Sequence, residues 1–125
     1  MKSNQESNRS VVGIDVAKDK LDVFTDRGGL PKVVENDEAV FSTKLGKAIE
    51  SFKEALFVLE ATGGYERKIV KWLQDKSIDV AVVNPKQVRH FAKGIGHDAK
   101  TDPIDAKVIA KFGDVVQPTP KGIPS

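Results

Sequence analysis

The sequence has no cysteine and only two histidines, His90 and His97, among its 125 residues. The absence of cysteine excludes disulfide bonds, thiolate zinc sites and a cysteine nucleophile. Two histidines are too few for an all-histidine metal site. Any bound metal must therefore be held largely by oxygen ligands, which favours Mg²⁺ or Mn²⁺ over zinc.

Long apolar runs are also missing. No stretch approaches the roughly 20 apolar residues that a transmembrane helix needs. Residues 1–10 are polar and lack the apolar core of a signal peptide. We therefore expect a soluble, cytoplasmic protein without a membrane partner. At 125 residues and 39% hydrophobic content, the chain has the size of one compact domain.

The net charge of +2 is too small to indicate nucleic-acid binding by itself, but the charge is unevenly distributed. Segment 85–112 carries six basic and three acidic residues, so its net charge is +3 and the rest of the chain has −1. A metal that neutralised Asp102 and Asp105 would leave a clearly positive surface that suits phosphate, although solvated lysines on helix faces give the same count. The basic residues are Lys86, Arg89, Lys93, Lys100, Lys107 and Lys111.

The order of apolar patterns predicts an α/β domain over residues 11–116. Residues 1–10 are predicted to be disordered, and 117–125, with three prolines, form a tail or linker. Strands are predicted at 11–16, 21–25, 32–34, 56–59 and 79–83. Helices are predicted with apolar positions at 41–52 and Asn36 or Asp37 as the N-cap, at 64–76, at 86–93 and from 102 onward. This order predicts a mixed sheet with helices on both faces and parallel later strands, as in a ribonuclease H-like domain.

Two acidic residues interrupt or end apolar strands, where an uncompensated carboxylate is unfavourable. Asp15 lies inside the run 11–16 and shares a strand face with Val11 and Gly13. Glu60 follows the run 56–59, at the carboxyl end of its strand, where open α/β sheets bind ligands. If the first and fourth strands are neighbours, the two carboxylates converge.

Two further acids, Asp102 and Asp105, are three residues apart and would be adjacent on a helix that faces the sheet edge. A capping role is the alternative, because Asp102 precedes Pro103 and Asp105 would lie in the first helical turn. Crowded carboxylates need protons or cations to compensate them. With Asp15 and Glu60, the pair predicts a site for two Mg²⁺ ions about 3.5 to 4 Å apart, which would clamp a phosphodiester.

Some features near these acids could contact nucleic acid. Lys86, Arg89 and Lys93 share a predicted helix at spacings of three and four, which predicts either a stripe that contacts phosphate or a solvated face. Segment 62–64, Thr-Gly-Gly, could present amides to an anion or form an ordinary turn. Tyr65 is predicted to pack in the core rather than stack on bases.

Four segments together resemble the amino-terminal domain of the DEDD transposases, a family of insertion-sequence recombinases and Piv-type DNA invertases. The resemblance extends from about residue 11 to residue 116, in the correct order and spacing. The segments are 13–22 (GIDVAKDKLD), 59–66 (LEATGGYE), 83–92 (VNPKQVRHFA) and 100–106 (KTDPIDA).

The resemblance implies a RuvC-like, ribonuclease H-type fold and DNA strand exchange, guided in some members by a structured noncoding bridge RNA that pairs with donor and target DNA. It implies an Mg²⁺-binding tetrad of Asp15, Glu60, Asp102 and Asp105. It also implies assembly into dimers and tetramers, and a carboxyl-terminal domain with a serine nucleophile that has no counterpart in this sequence. We therefore expect a catalytic domain that is incomplete by itself.

Two other interpretations are kept open. A non-catalytic RNA-binding or dimerisation module of the same fold would retain the acids for structural reasons. An actin-like or sugar-kinase-like nucleotide-binding fold also begins with a glycine-aspartate strand, but it needs a second phosphate loop that the sequence does not show.

Overall fold

Five strands form one mixed sheet in the computed structural model, which describes residues 9–98 and 101–120. The sheet order is β3-β2-β1-β4-β5. Strands β1, β2 and β3 are antiparallel, whereas β1, β4 and β5 are parallel. The predicted mixed sheet is therefore confirmed, as is the contact between the first and fourth strands. The strands are β1 (Val11–Val16), β2 (Lys20–Phe24), β3 (Val33–Glu35), β4 (Leu56–Glu60) and β5 (Asp79–Val83).

Helices cover both faces of this sheet. One core packs α1, a short 3₁₀ helix and α2 against the face formed by Val12, Ile14 and Val16 of β1. The second core packs α3 and α4 against the opposite face. The α-helices are α1 (Glu38–Lys44), α2 (Arg67–Asp75), α3 (Pro85–Gly94) and α4 (Ala106–Val116), and the 3₁₀ helix is Ala48–Phe52. No helix of the described residues is long and apolar enough to span a bilayer.

Gly13 is the point where α4 comes closest to the sheet. A Cβ atom there would collide with the carbonyl oxygen of Ala106 and would lie 2.5 Å from the backbone nitrogen of Ala110. The sheet and the helix backbone can touch only because Gly13 has no side chain. This contact brings the N-terminus of α4 over the end of β1, close to Asp15.

The observed helices differ from the predicted ones at three places, each next to a glycine or a proline. The predicted helix 41–52 is interrupted around Gly46, a residue of low helix propensity. Helix α2 begins at Arg67 rather than Gly64, because Gly64 has a φ of 138°, which is not helical. Helix α4 begins at Ala106 rather than Asp102. Asp102 precedes Pro103, and the residue before a proline avoids the helical backbone conformation.

Tyr65 was predicted to lie in the core, but its side chain is 49% exposed. The late start of α2 leaves Tyr65 in the turn before that helix, where the helical spacing used to place it inside does not apply. The predicted disorder of residues 1–10 falls mostly outside the described residues, as does part of the predicted tail 117–125.

Candidate functional site

Three carboxylates lie on the sheet face that α4 covers. The parallel pairing of β1 with β4 matches Ile14 with Leu59, so Asp15 and Glu60 follow one residue further along neighbouring strands. The antiparallel pairing of β1 with β2 places Asp22 directly opposite Asp15. All three side chains are half-buried and alternate with residues of the first core, which places them on the other face.

The pKa of Asp15 is raised above its usual range. Burial is the largest cause, and the charges of Asp22 and Asp105 add to it, while the nearby charge of Lys20 opposes it. Asp105 is distant in sequence, so its effect reports that the start of α4 lies near the end of β1. Asp15 is therefore the residue at which the predicted acids meet.

Glu60 responds in the same way. Burial raises its pKa, the charge of Asp15 raises it further, and the guanidinium of Arg89 opposes both. Its Oε2 atom is buried and has no hydrogen-bond partner in the part of the chain that the structure describes. A buried carboxylate oxygen without a partner is strongly unfavourable, and either a proton or a cation would satisfy it.

One carboxylate oxygen of Asp105 caps α4, and the other oxygen takes no part in the cap. Its Oδ1 accepts a hydrogen bond of 3.0 Å from the backbone N–H of Val108, and its backbone is extended, as an N-cap requires. Of the two acids for which a capping role was the alternative, Asp105 is the cap of this helix and Asp102 is not. The remaining Oδ2 of Asp105 can still serve a cation.

Asp102 is not among the charges that act on Asp15 and Glu60. It is exposed in the turn before α4, and its backbone N–H donates to the carbonyl of Asp98 at 2.5 Å. The expected helix surface shared by Asp102 and Asp105 does not exist, because the chain between them is not helical.

The arrangement is a set of neighbouring carboxylates rather than a finished coordination sphere. Within residues 9–98 and 101–120, no three histidine, aspartate or glutamate side chains are close enough together to hold one ion. Binding of one divalent ion by three of these acids at once therefore requires side-chain rotation. The half-buried hard oxygen donors are of the type that suits Mg²⁺ or Mn²⁺.

Asp22 was not predicted as a site residue. Its signal was present in the sequence, because it is the acid between Leu21 and Val23 in an alternating strand. Its position opposite Asp15 depends on the length of the β1–β2 turn, and the predicted strands did not include a register. The structure therefore adds a carboxylate beside Asp15 that spacing alone did not reveal.

The loop after Glu60 holds an internal anion. Glu66 Oε1 accepts hydrogen bonds from the Thr62 backbone N–H (3.0 Å), the Thr62 hydroxyl (2.5 Å) and the Gly64 backbone N–H (3.1 Å). Burial raises the pKa of Glu66, but these hydrogen bonds outweigh burial and hold the pKa below its usual range. Two amides of the loop, for which anion binding or an ordinary turn was left open, thus bind Glu66.

The predicted basic stripe lies on α3, which begins at the carboxyl end of β5. Lys86, Arg89 and Lys93 are all exposed, and Arg89 is close enough to lower the pKa of Glu60. Lys100, also predicted to contact nucleic acid, lies outside the described residues. The stripe thus has one member whose charge reaches the carboxylates.

Comparison with known proteins agrees with the fold and the motifs. A family model for DEDD transposases, whose description reads "Transposase", matches residues 12–123. The Pilin gene-inverting protein of Moraxella lacunata is 38% identical over 56 residues, and that of Moraxella bovis has the same identity over the same length. Each match covers 45% of this chain and 17% of the relative.

Proposed function

This chain belongs to the DEDD transposase family, and we propose that residues 11–116 form the catalytic amino-terminal domain of a DNA recombinase. In this proposal Asp15, Glu60 and Asp105, joined by Asp102, bind Mg²⁺ or Mn²⁺ and act in DNA strand cleavage and exchange. The observation that carries the proposal is the orphaned Oε2 atom of Glu60, buried beside the charge of Asp15.

A cation fits these residues chemically. Asp15 and Glu60 would hold it at the end of the parallel strands, and Asp105 would add its Oδ2 atom without giving up the cap of α4. Asp102 would join only after the turn before α4 moved toward the sheet. When bound, a divalent cation would stabilise negative charge on phosphate oxygens and increase the reactivity of an attacking hydroxyl group.

The basic residues of α3 would orient the nucleic acid at this edge. Arg89 is exposed and lies near Glu60, so its guanidinium can reach a phosphate that enters the carboxylate cluster. Lys86 and Lys93 would contact the neighbouring backbone and give affinity without sequence preference. Lys100 completes the proposed nucleic-acid contacts.

The proposed partners are DNA, a structured bridge RNA and further copies of this chain. The name of the Moraxella relatives describes the inversion of a gene, which is a rearrangement of DNA. The guide RNA and the dimeric or tetrameric assembly are supported by the resemblance of the four motifs to the DEDD transposases. A serine nucleophile from a second domain is proposed on the same ground.

Calorimetric titration with Mn²⁺ tests the catalytic proposal against a non-catalytic module of the same fold. Wild-type protein should bind Mn²⁺, and Glu60→Gln should weaken binding at least about tenfold, because it removes a charged ligand while keeping the shape. Glu50→Gln is the matched control, since Glu50 is an exposed acid on the 3₁₀ helix at the opposite face of the sheet. Wild-type protein that binds no Mn²⁺ would favour the non-catalytic module.

A further inference from the structure

Asn36 joins the two segments that follow the central carboxylates. It is buried, with 8% of its surface exposed, between β3 and α1. Its Nδ2 atom donates to the carbonyl of Ala17 at 2.9 Å and to the carbonyl of Tyr65 at 3.1 Å. Ala17 comes two residues after Asp15, and Tyr65 comes five residues after Glu60. One amide group therefore connects the chain leaving β1 to the chain leaving β4.

The β1 side of this connection is rigid. The backbone N–H of Asn36 donates to the carbonyl of Asp19 at 3.0 Å, so Asn36 contacts the β1–β2 turn twice. Within the turn, the N–H of Ala17 donates to the carbonyl of Lys20 at 2.9 Å. Ala17 therefore cannot move away from Asn36 without breaking several hydrogen bonds.

The β4 side is rigid as well. The N–H of Ala61 donates to the carbonyl of Val83, which extends the pairing of β4 with β5 past Glu60. Glu66 then holds residues 62–65 in a closed loop, because its carboxylate accepts hydrogen bonds from Thr62 and Gly64. Because the loop is closed on itself, a shift of Tyr65 is transmitted to Glu60 rather than absorbed between them.

The two bonds require a side-chain nitrogen that carries two donors, which the amide of asparagine supplies. Two carbonyl oxygens face one nitrogen, so only a group with two donors satisfies both, and the amide can have only this orientation. Serine offers one donor and aspartate at neutral pH offers none. The Oδ1 atom of Asn36 is buried without a partner among the described residues, which is unfavourable for a polar atom. Stability alone is therefore a poor reason for this residue at this place.

We propose that Asn36 is a positioning residue that sets the spacing between Asp15 and Glu60. Its effect on cation binding rests on the function proposed above, whereas its effect on the two connected segments does not. Loss of the amide should let the turn after β1 and the loop after β4 move independently, so that the two carboxylates no longer converge on one ion.

The test compares Asn36→Ala and Asn36→Ser with Asp37→Ala. Asp37 caps α1 through its side chain, so its loss destabilises a neighbouring element without touching the connection. Asn36→Ala should weaken Mn²⁺ binding about 10- to 100-fold, as loss of a residue that orients ligands typically does. Asn36→Ser should lie between it and wild type, and Asp37→Ala should bind as wild type in moderate salt.

Amide hydrogen exchange provides the second measurement, without added metal. Asn36→Ala should speed exchange at Ala17, Thr62 and Gly64 more than at the core strands, because it frees both segments locally. If Asn36→Ala does not fold, the serine variant is used for both measurements.

The two measurements separate the possible failures. Wild-type protein that binds no Mn²⁺ would refute the proposed function, and exchange at the two segments would then decide on Asn36 alone. Unchanged local exchange in the Asn36 variants would overturn the positioning role. The positioning role would also be overturned if an Asn36 variant bound Mn²⁺ within twofold of wild type although its Tm fell as far as that of Asp37→Ala.

Discussion

Replacing Asp15 by asparagine should stabilise the metal-free protein and abolish the proposed Mn²⁺ binding. Asp15 lies directly opposite Asp22 on the same sheet face and near Asp105 and Glu60. Favourable cross-strand pairs contribute roughly 0.2–1 kcal/mol each, and like charges directly opposite each other are destabilising; we take the same order of magnitude for this pair. The other acids and the partial burial add to this, and exposure to water screens all of it. We expect the free energy of unfolding to rise by about 1 kcal/mol.

The pH dependence of stability independently tests whether Asp15→Asn raises the free energy of unfolding. Because burial and neighbouring acids raise the pKa values of Asp15 and Glu60, the folded protein binds these protons more tightly than the unfolded chain. The resulting stabilisation is complete below the ordinary carboxyl pKa and is lost as pH rises through the raised values. The advantage of Asp15→Asn over wild type should therefore be larger at pH 7 than at pH 4.

Thermal unfolding followed by circular dichroism measures this effect. A gain of about 1 kcal/mol corresponds to a rise in Tm of about 4 °C for a domain of this size. Asp26→Asn is the matched control, because Asp26 is exposed beyond the end of β2. A Tm lower than that of wild type at pH 7 in the metal-free protein would refute the reasoning, since Asp15 would then be held by favourable contacts.

Two further substitutions test the scaffold of the site. Gly13→Ala should destabilise by about 3 kcal/mol or more, because its Cβ would meet the backbone of α4 rather than a movable side chain. Gly94→Ala, with open space around it, is the control, and an equal loss of Tm in both would contradict this account. Glu66→Ala should lower stability by about 1–2 kcal/mol at pH 7. Since the pKa of Glu66 is lowered, the stabilisation is present above the usual glutamate pKa and lost as pH falls through the lowered value, so a deficit unchanged in strong acid would contradict this role.

The sheet could be predicted because its signals are local. Strand β5 has the predicted bounds, Asp79–Val83, since an apolar run ends at Asn84 and Pro85. The assignment of β1 side chains to two faces also holds, because strand alternation allows only one arrangement once both faces are buried. Helix starts were less predictable, since caps and glycine conformations, rather than apolar spacing, decide them.

The site was predictable in its types of residue but not in its contacts. Asp15 and Glu60 stand out because acids are rare in buried strands, whereas Asn36 resembles any polar residue near a turn. Its two bonds join segments about 19 and 29 residues away in sequence, and no periodicity encodes such a link. The same limit applies to Asp22 and Asp102. Strand register brings Asp22 opposite Asp15, and the non-helical chain before α4 separates Asp102 from the helix that Asp105 caps.

The fold tolerates its crowded acids through partial compensation of their charge. Lys20 acts on Asp15 and Arg89 acts on Glu60, and the contact at Gly13 brings the positive end of α4 close to Asp15. These contributions are smaller than the effects of burial and of the neighbouring acids, because both pKa values remain raised. The uncompensated part is what a divalent cation would relieve on binding. A scaffold that is rigid in Gly13 and Asn36 can hold carboxylates in this unfavourable proximity, whereas a mobile one would let them separate.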